Sequence, residues 1–129
     1  MNGDLLLDTN IVIALFAGDE QVTTRLREAR EVFVPSIVIG ELNYGARKSG
    51  RSRENLDRVN SFAAGSAVLA CDVVTASYYG EVKASLQQKG KPIPENDIWI
   101  AALALQHELV LVSRDDHFDW VGNLKKVAW

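Results

Sequence analysis

Residues 98–105 read Ile-Trp-Ile-Ala-Ala-Leu-Ala-Leu, a helix-forming run with apolar side chains on every side. A helix without a polar face belongs inside a domain, so the chain must build layers around it. Leu109 to Val112 come next, after a short polar break. They are too few for a helix and too continuously apolar for a half-exposed strand, which predicts a central strand covered on both faces. Asn96-Asp97 stands before the helix and Ser113-Arg114-Asp115 after the strand. Two carboxylates, Asp97 and Asp115, are thereby delivered to the rim of a buried core.

The rest of the chain supplies the layers. Leu5 to Leu7 predict an inner strand ending at Asp8, followed by a turn and a mostly buried helix that stops at Gly18. A second helix over Asp19 to Arg30 places Val22, Leu26 and Ala29 on one face. Val32 to Val34 predict another strand, and Pro35-Ser36 open a helix carrying Ile37, Val38, Leu42 and Ala46. A helix with Leu56, Val59, Phe62 and Ala63 on one face leads to a strand at Ala67 to Cys71. Asp72 caps a further helix in which Val74, Tyr78, Val82 and Leu86 recur every fourth residue until Gly90. Lys126 to Trp129 add an edge strand. Strands alternating with helices imply an α/β domain with a mainly parallel sheet and helices on both faces. Ligands of such sheets gather at the carboxyl ends of the strands, where Asp8 and Asp115 fall.

Composition narrows the setting. A chain of 129 residues, 47% apolar and 24% charged, is sized for one domain over 1–129 and able to bury about two-thirds of its unfolded surface. The lone Cys71 in an apolar run reads as a small buried hydrophobe and excludes an internal disulfide. Asp4 and Asp8 interrupt the N-terminal apolar stretch, which argues against an export signal, and no run approaches a membrane span. The expected location is the reducing cytoplasm. The net charge of −3 does not suggest a nucleic-acid binder by bulk charge. Arg47, Lys48, Arg51, Arg53 and Arg58 nevertheless form a basic patch, equally suited to a solvated face or to phosphate contacts.

Taken singly, Asp8 and Asp97 are unremarkable, since Asp at a strand-to-helix turn commonly caps the helix. Glu41 is different: it lies four residues after Ile37 and three after Val38, on the apolar stripe of its helix. An unpaired carboxylate there costs several kcal/mol or takes up a proton. Converging carboxylates without a cation repel by about 4 kcal/mol per close pair at an effective dielectric near 20. A divalent ion resolves that conflict. Hard oxygen ligands suit Mg²⁺ or Mn²⁺, whereas His107 and His117 lack the spacing of a zinc site, and His107 fits a helix C-terminus.

In order and spacing, these residues resemble the PIN-domain ribonucleases, and within them the VapC toxins of toxin–antitoxin pairs. The resemblance covers nearly the whole chain: Leu-Leu-Leu-Asp8-Thr-Asn10, then Pro35-Ser-Ile-Val-Ile-Gly-Glu41-Leu-Asn-Tyr-Gly45, Gly90-Lys-Pro-Ile93, Asn96-Asp97-Ile-Trp-Ile-Ala-Ala, and Leu-Val-Ser113-Arg-Asp115-Asp-His-Phe118. It implies a three-layer α/β/α PIN-like domain. It further implies an acidic quartet of Asp8, Glu41, Asp97 and Asp115 as catalytic and metal-ligating residues, with Asn10 and Ser113 in support and Asp116 and Asp119 as minor ligands.

The implied activity is endoribonuclease cleavage of RNA phosphodiesters with Mg²⁺ or Mn²⁺, as the toxin of a pair. A VapB-like antitoxin and a second copy of the chain are the implied protein partners, docking on apolar surface near Phe16 or Val22, and Arg114 or the basic patch is expected to contact phosphates. A haloacid-dehalogenase-like enzyme would need an acid where Asn10 stands, and a receiver domain would need an acidic neighbour for Asp8. The alternative is a non-catalytic protein-binding module with a PIN-like fold, whose acids only cap helices or pair with a partner's basic groups.

Overall fold

The computed structural model describes residues 4–129. Five strands form one sheet: β1 (Leu5–Leu7), β2 (Val32–Pro35), β3 (Ala67–Leu69), β4 (Val110–Val112) and β5 (Lys126–Val127). Their order is β3-β2-β1-β4-β5 and all four pairings are parallel. Six helices connect them: α1 (Thr9–Phe16), α2 (Glu20–Glu28), α3 (Ser36–Arg47), α4 (Ser52–Ala64), α5 (Val73–Lys89) and α6 (Glu95–Gln106), with a 3-10 turn at Asp116–Trp120.

Strand order and handedness together dictate the layers. The chain moves outward from β1 to β2 to β3, then crosses back to β4 on the other side of β1. Parallel crossovers are right-handed, so α1 to α4 cover one face and α5 and α6 the other. The packing agrees, since α3 lies along α4 and touches α1, while α5 lies along α6. The result is the three-layer α/β/α arrangement. Successive strands depart in opposite directions from β1, and the switch in order falls between β1 and β4.

The central elements are the buried ones. Leu6, Ile11, Val12, Ile100, Ala101, Ala102, Leu103, Leu111 and Val112 have no exposed surface. Each large side chain among them contributes about 1.5–3 kcal/mol by leaving water, and the alanines of α6 let its backbone approach its neighbours closely. As expected, β4 is covered on both faces while β5 is a two-residue edge strand. The edge strand β3 is shorter than Ala67 to Cys71, and Cys71 sits half-buried just beyond it, its thiol pushed up by burial.

Two details differ from the periodicity of the sequence. The inward face of α5 carries Thr75, Tyr79, Val82 and Leu86, and Val74 is exposed. Asp72 accepts from the Thr75 N–H and the Thr75 hydroxyl bonds back as a capping box, which rotates a threonine into the core and hands its hydroxyl to Gln106 at 2.5 Å. Gly90 then ends α5 in the left-handed region at φ 67°. Glu41 is the second difference: the stripe buried by α3 is Val38, Leu42 and Ala46, and Glu41 lies half-buried at its edge.

Candidate active site

The carboxyl ends of β1 and β4 meet the middle of α3 and the start of α6 at the switch point, and the four acids of the quartet lie around it. Asp8 follows β1 and is 5% exposed. Its Oδ1 accepts the Thr9 N–H at 2.8 Å, so it does cap α1. Capping uses only one oxygen. Oδ2 accepts the hydroxyl of fully buried Ser113 at 2.7 Å and the Asn10 amide at 3.4 Å. Burial raises the Asp8 carboxyl above its ordinary value against the opposing pull of the Ser113 and Thr9 hydrogen bonds, and the nearby Glu41 and Asp115 charges raise it further.

Asp97 is no cap at all. The helix begins at Glu95 with Pro94 as its cap residue, so Asp97 lies inside the first turn and its own N–H bonds to the Pro94 carbonyl at 3.0 Å. The positive end of the helix favours a carboxylate there. Burial outweighs that benefit and pushes its pKa up to about 6, with the Asp8 and Asp115 charges adding to the rise and the His117 hydrogen bond opposing it.

Asp115 opens the 3-10 turn, accepting the His117 N–H at 2.9 Å. Its own N–H donates to Ser113 Oγ at 3.0 Å, so one buried hydroxyl links Asp8 and Asp115. The two other acids of this segment point elsewhere: Asp116 has 96% of its side chain exposed, and Asp119 pairs with Lys126 Nζ at 2.9 Å. Lys126 also donates to the Asp115 carbonyl at 3.0 Å, tying the turn to β5.

Glu41 reaches in from α3. Thr9 donates its hydroxyl to Oε1 at 2.5 Å and the Asn96 amide donates to Oε2 at 3.3 Å. Each donor adjoins another acid in sequence, Thr9 beside Asp8 and Asn96 beside Asp97. Asn10 extends the network, reaching Ser113 Oγ at 3.4 Å and accepting the Arg114 N–H at 3.2 Å.

From the sequence His117 is set aside as a zinc ligand, yet it lies beside two of the acids. Its Nδ1 lies 3.2 Å from Asp97 Oδ2 and 3.1 Å from Asp115 Oδ1, and the three ligand atoms fall within 4.8 Å of one another, close enough to share an ion. Its position two residues beyond Asp115 was the available signal. Thr9 and Asn96 were missed as well, because their roles depend on contacts across 32 and 55 residues. Arg114 is held at the surface: it donates to the Trp129 carbonyl at 2.6 Å and to Asp19 at 2.9 Å, and its bond to Asp19 holds that carboxyl below the usual carboxylate range.

The donor set fits a hard divalent ion. Among the described residues, no Lys or Arg forms a salt bridge with Asp8, Glu41, Asp97 or Asp115. Clustered carboxylates that lack such partners, two of them with raised pKa values, retain affinity for an external cation.

The PIN-domain family profile matches residues 5–124. This chain belongs to the PIN-domain family. The VapC proteins stand among its relatives: Ribonuclease VapC2 of Haemophilus influenzae is 36% identical over 127 residues, covering 96% of each chain. The tRNA(fMet)-specific endonuclease VapC of Shigella flexneri is 30% identical at the same coverage. The crystal structure of VapBC2 from Rickettsia felis bound to a promoter DNA fragment superposes with a TM-score of 0.90, at 28% identity over 98% of each chain. In this PIN domain, no helix among the described residues is long and apolar enough to cross a membrane.

Proposed function

We propose that the chain is a divalent-metal-dependent endoribonuclease, acting as one domain over 1–129 and as the toxin of a VapBC-like pair. What supports this reading is the clustering of Asp97, Asp115 and His117 at the switch point, with Asp8 and Glu41 on the neighbouring elements and, among the described residues, no Lys or Arg salt bridge to any of the four acids, in a chain whose curated relatives are named ribonucleases. These four acids are assigned as the catalytic and metal-holding set for Mg²⁺ or Mn²⁺, with His117 adjacent to two of them.

When bound, the ion supplies an acidified water and charge neutralisation for in-line attack on a phosphodiester. The protein's own residues prepare that chemistry. Thr9 and Asn96 fix the rotamer of Glu41, and Ser113 fixes Asp8 while anchoring the backbone of Asp115. An RNA substrate with unpaired nucleotides suits a site at the open rim of a sheet.

The partners follow from the free surfaces. Val22 belongs to the core, so the docking surface near the early helices reduces to an apolar groove of about 250 Å³ lined by Ile13, Phe16, Leu42, Ala46, Arg58 and Val59. A VapB-like antitoxin segment is assigned to it. A second copy of the chain is assigned to the exposed Val68, Val73 and Val74 at the start of α5 and the edge of the sheet. The reducing cytoplasm is proposed as its location, in line with a single cysteine that can form no internal disulfide.

Purified protein with Mn²⁺ should cut single-stranded RNA, EDTA should stop it, and a folded Asp97→Asn variant should be at least a thousandfold slower. Undiminished cleavage by that variant removes the assignment. The non-catalytic alternative, in which the acids await a partner's basic groups, predicts no cleavage and no stabilisation by Mn²⁺.

A further inference from the structure

Tyr44 stands on α3 one turn beyond Glu41, and 66% of its surface is exposed. Lys48, one turn further on, holds its Nζ 5.0 Å from the centre of the Tyr44 ring. An open groove of about 600 Å³ runs along this stretch, lined by Ile37, Gly40, Glu41, Tyr44, Lys48 and Asn96. Glu41 and Asn96 also belong to the carboxylate network, so the groove begins at the active site and ends at a cation.

We propose that Tyr44 is a stacking platform for an unpaired RNA base next to the scissile phosphate, with Lys48 holding a neighbouring phosphate; this rests on the ribonuclease reading above. The argument is one of position and chemistry. A lone exposed aromatic residue needs no explanation. An exposed aromatic residue beside a cation, in a groove that opens onto catalytic carboxylates, has the two elements that bind single-stranded nucleic acid: a π-face and a charge for the backbone. Residues three apart on a helix have Cβ atoms about 5–6 Å apart, so a base on Tyr44 belongs to a nucleotide adjoining the phosphate at Glu41. The ammonium covers one face of the ring and leaves the other for the base. Stacking of this kind tolerates any base, so the platform sets strand placement and a preference for unpaired RNA rather than a sequence. The polarity of the groove agrees: its acidic end, at Glu41, is where a divalent ion neutralises charge, and its other end carries Lys48.

The test compares wild type, Tyr44→Ala, Tyr44→Trp and Lys48→Met, each as the full chain with Mn²⁺, on a mixed-sequence single-stranded RNA and on the same sequence as a duplex. Tyr44→Ala should raise KM for the single strand about tenfold with kcat within about threefold, in line with the loss of one base–aromatic stack. Tyr44→Trp should restore KM, and Lys48→Met should weaken the salt dependence of KM. In parallel, a 2-aminopurine-labelled RNA bound to the cleavage-silenced Asp97→Asn protein should be quenched, and the quench should vanish in the Asp97→Asn/Tyr44→Ala double variant. A wild type that cuts RNA while Tyr44→Ala keeps its KM within twofold overturns the proposal. So does loss of self-association in Tyr44→Ala with unchanged KM, which would make this face a contact between copies. If wild type cuts nothing, the ribonuclease reading fails; the quench then decides the platform separately, its presence supporting base stacking and its absence in the Tyr44-containing protein overturning it.

Discussion

Replacing Asp97 with Asn should stabilise the metal-free protein while removing its response to metal. The Asp97 pKa stands near 6 in the fold against an ordinary 3.8. A carboxyl whose folded pKa is raised favours the folded state when protonated, so its contribution is fully present below about pH 4 and is lost as pH rises through about 6. Each unit is about 1.4 kcal/mol, which gives about 3 kcal/mol for the full shift. Water reaching the rim reduces it, since 13% of the side chain is exposed, and about 1–2 kcal/mol is the expected cost of the charge at pH 7.

Asn keeps the shape and discards the charge. In EDTA at pH 7 the variant should therefore melt several degrees above wild type, at roughly 3–5 °C per kcal/mol for a chain of this length, and the gap should close near pH 4. Mn²⁺ should invert the order: at a hundred times Kd it stabilises wild type by about 2.7 kcal/mol and the variant hardly at all. Scanning calorimetry at pH 4 and 7, with EDTA and with Mn²⁺, gives all four values. A metal-free variant less stable than wild type at pH 7, with the same gap at pH 4, would refute the claim that burial of charge dominates at this position.

Other positions separate scaffold from site. Ser113→Ala should cost about 1–3 kcal/mol in urea denaturation, because it removes the hydroxyl on which buried Asp8 depends. Asp116→Asn should leave Mn²⁺ affinity unchanged by calorimetry while Asp115→Asn lowers it more than tenfold, as their exposures imply. Lys126→Met should weaken Mn²⁺ binding severalfold through the turn it anchors, with Lys126→Arg recovering part of the loss. Leu103→Ala, in the fully buried face of α6, should destabilise the fold by about 2–5 kcal/mol without altering metal affinity per folded molecule.

The fold was legible where pattern and burial coincide. The all-round apolar run from Ile98 and the short run at Val110 could be satisfied only in the middle of a layered structure, and they are found there. The periodicity of α5 misled by one residue, because Thr75 enters the core through a capping box that a hydrophobic pattern does not register. The acids at strand ends could be found because parallel topology sends every strand's carboxyl end to one rim. Their individual meaning was not legible. Glu41 looked misplaced on a helix face and turns out to lie at its edge, facing donors supplied by residues 32 and 55 positions away in sequence. Such partners depend on how strands are ordered in the sheet, which no local window encodes.

The choice of partners explains why this rim keeps its affinity for a cation. A buried acid can be oriented by a cation, which cancels its charge, or by a neutral donor, which does not. At Asp8 and Glu41 the donors are two hydroxyls, two amides and one backbone N–H. Two cations beside the Asp115 loop are engaged elsewhere, Arg114 by Asp19 and the Trp129 carbonyl, and Lys126 by Asp119 and the Asp115 carbonyl. Both therefore brace the loop that carries Asp115 without neutralising its carboxylate. Geometry is fixed by neutral groups, His117 and the backbone, no Lys or Arg among the described residues pairs with these acids, and the cost of burying them appears as the raised pKa values of Asp8 and Asp97. Burial is the larger cause of that rise and the neighbouring acids add to it, so a divalent ion at this rim offsets a charge that the fold has taken out of water and left without a Lys or Arg partner.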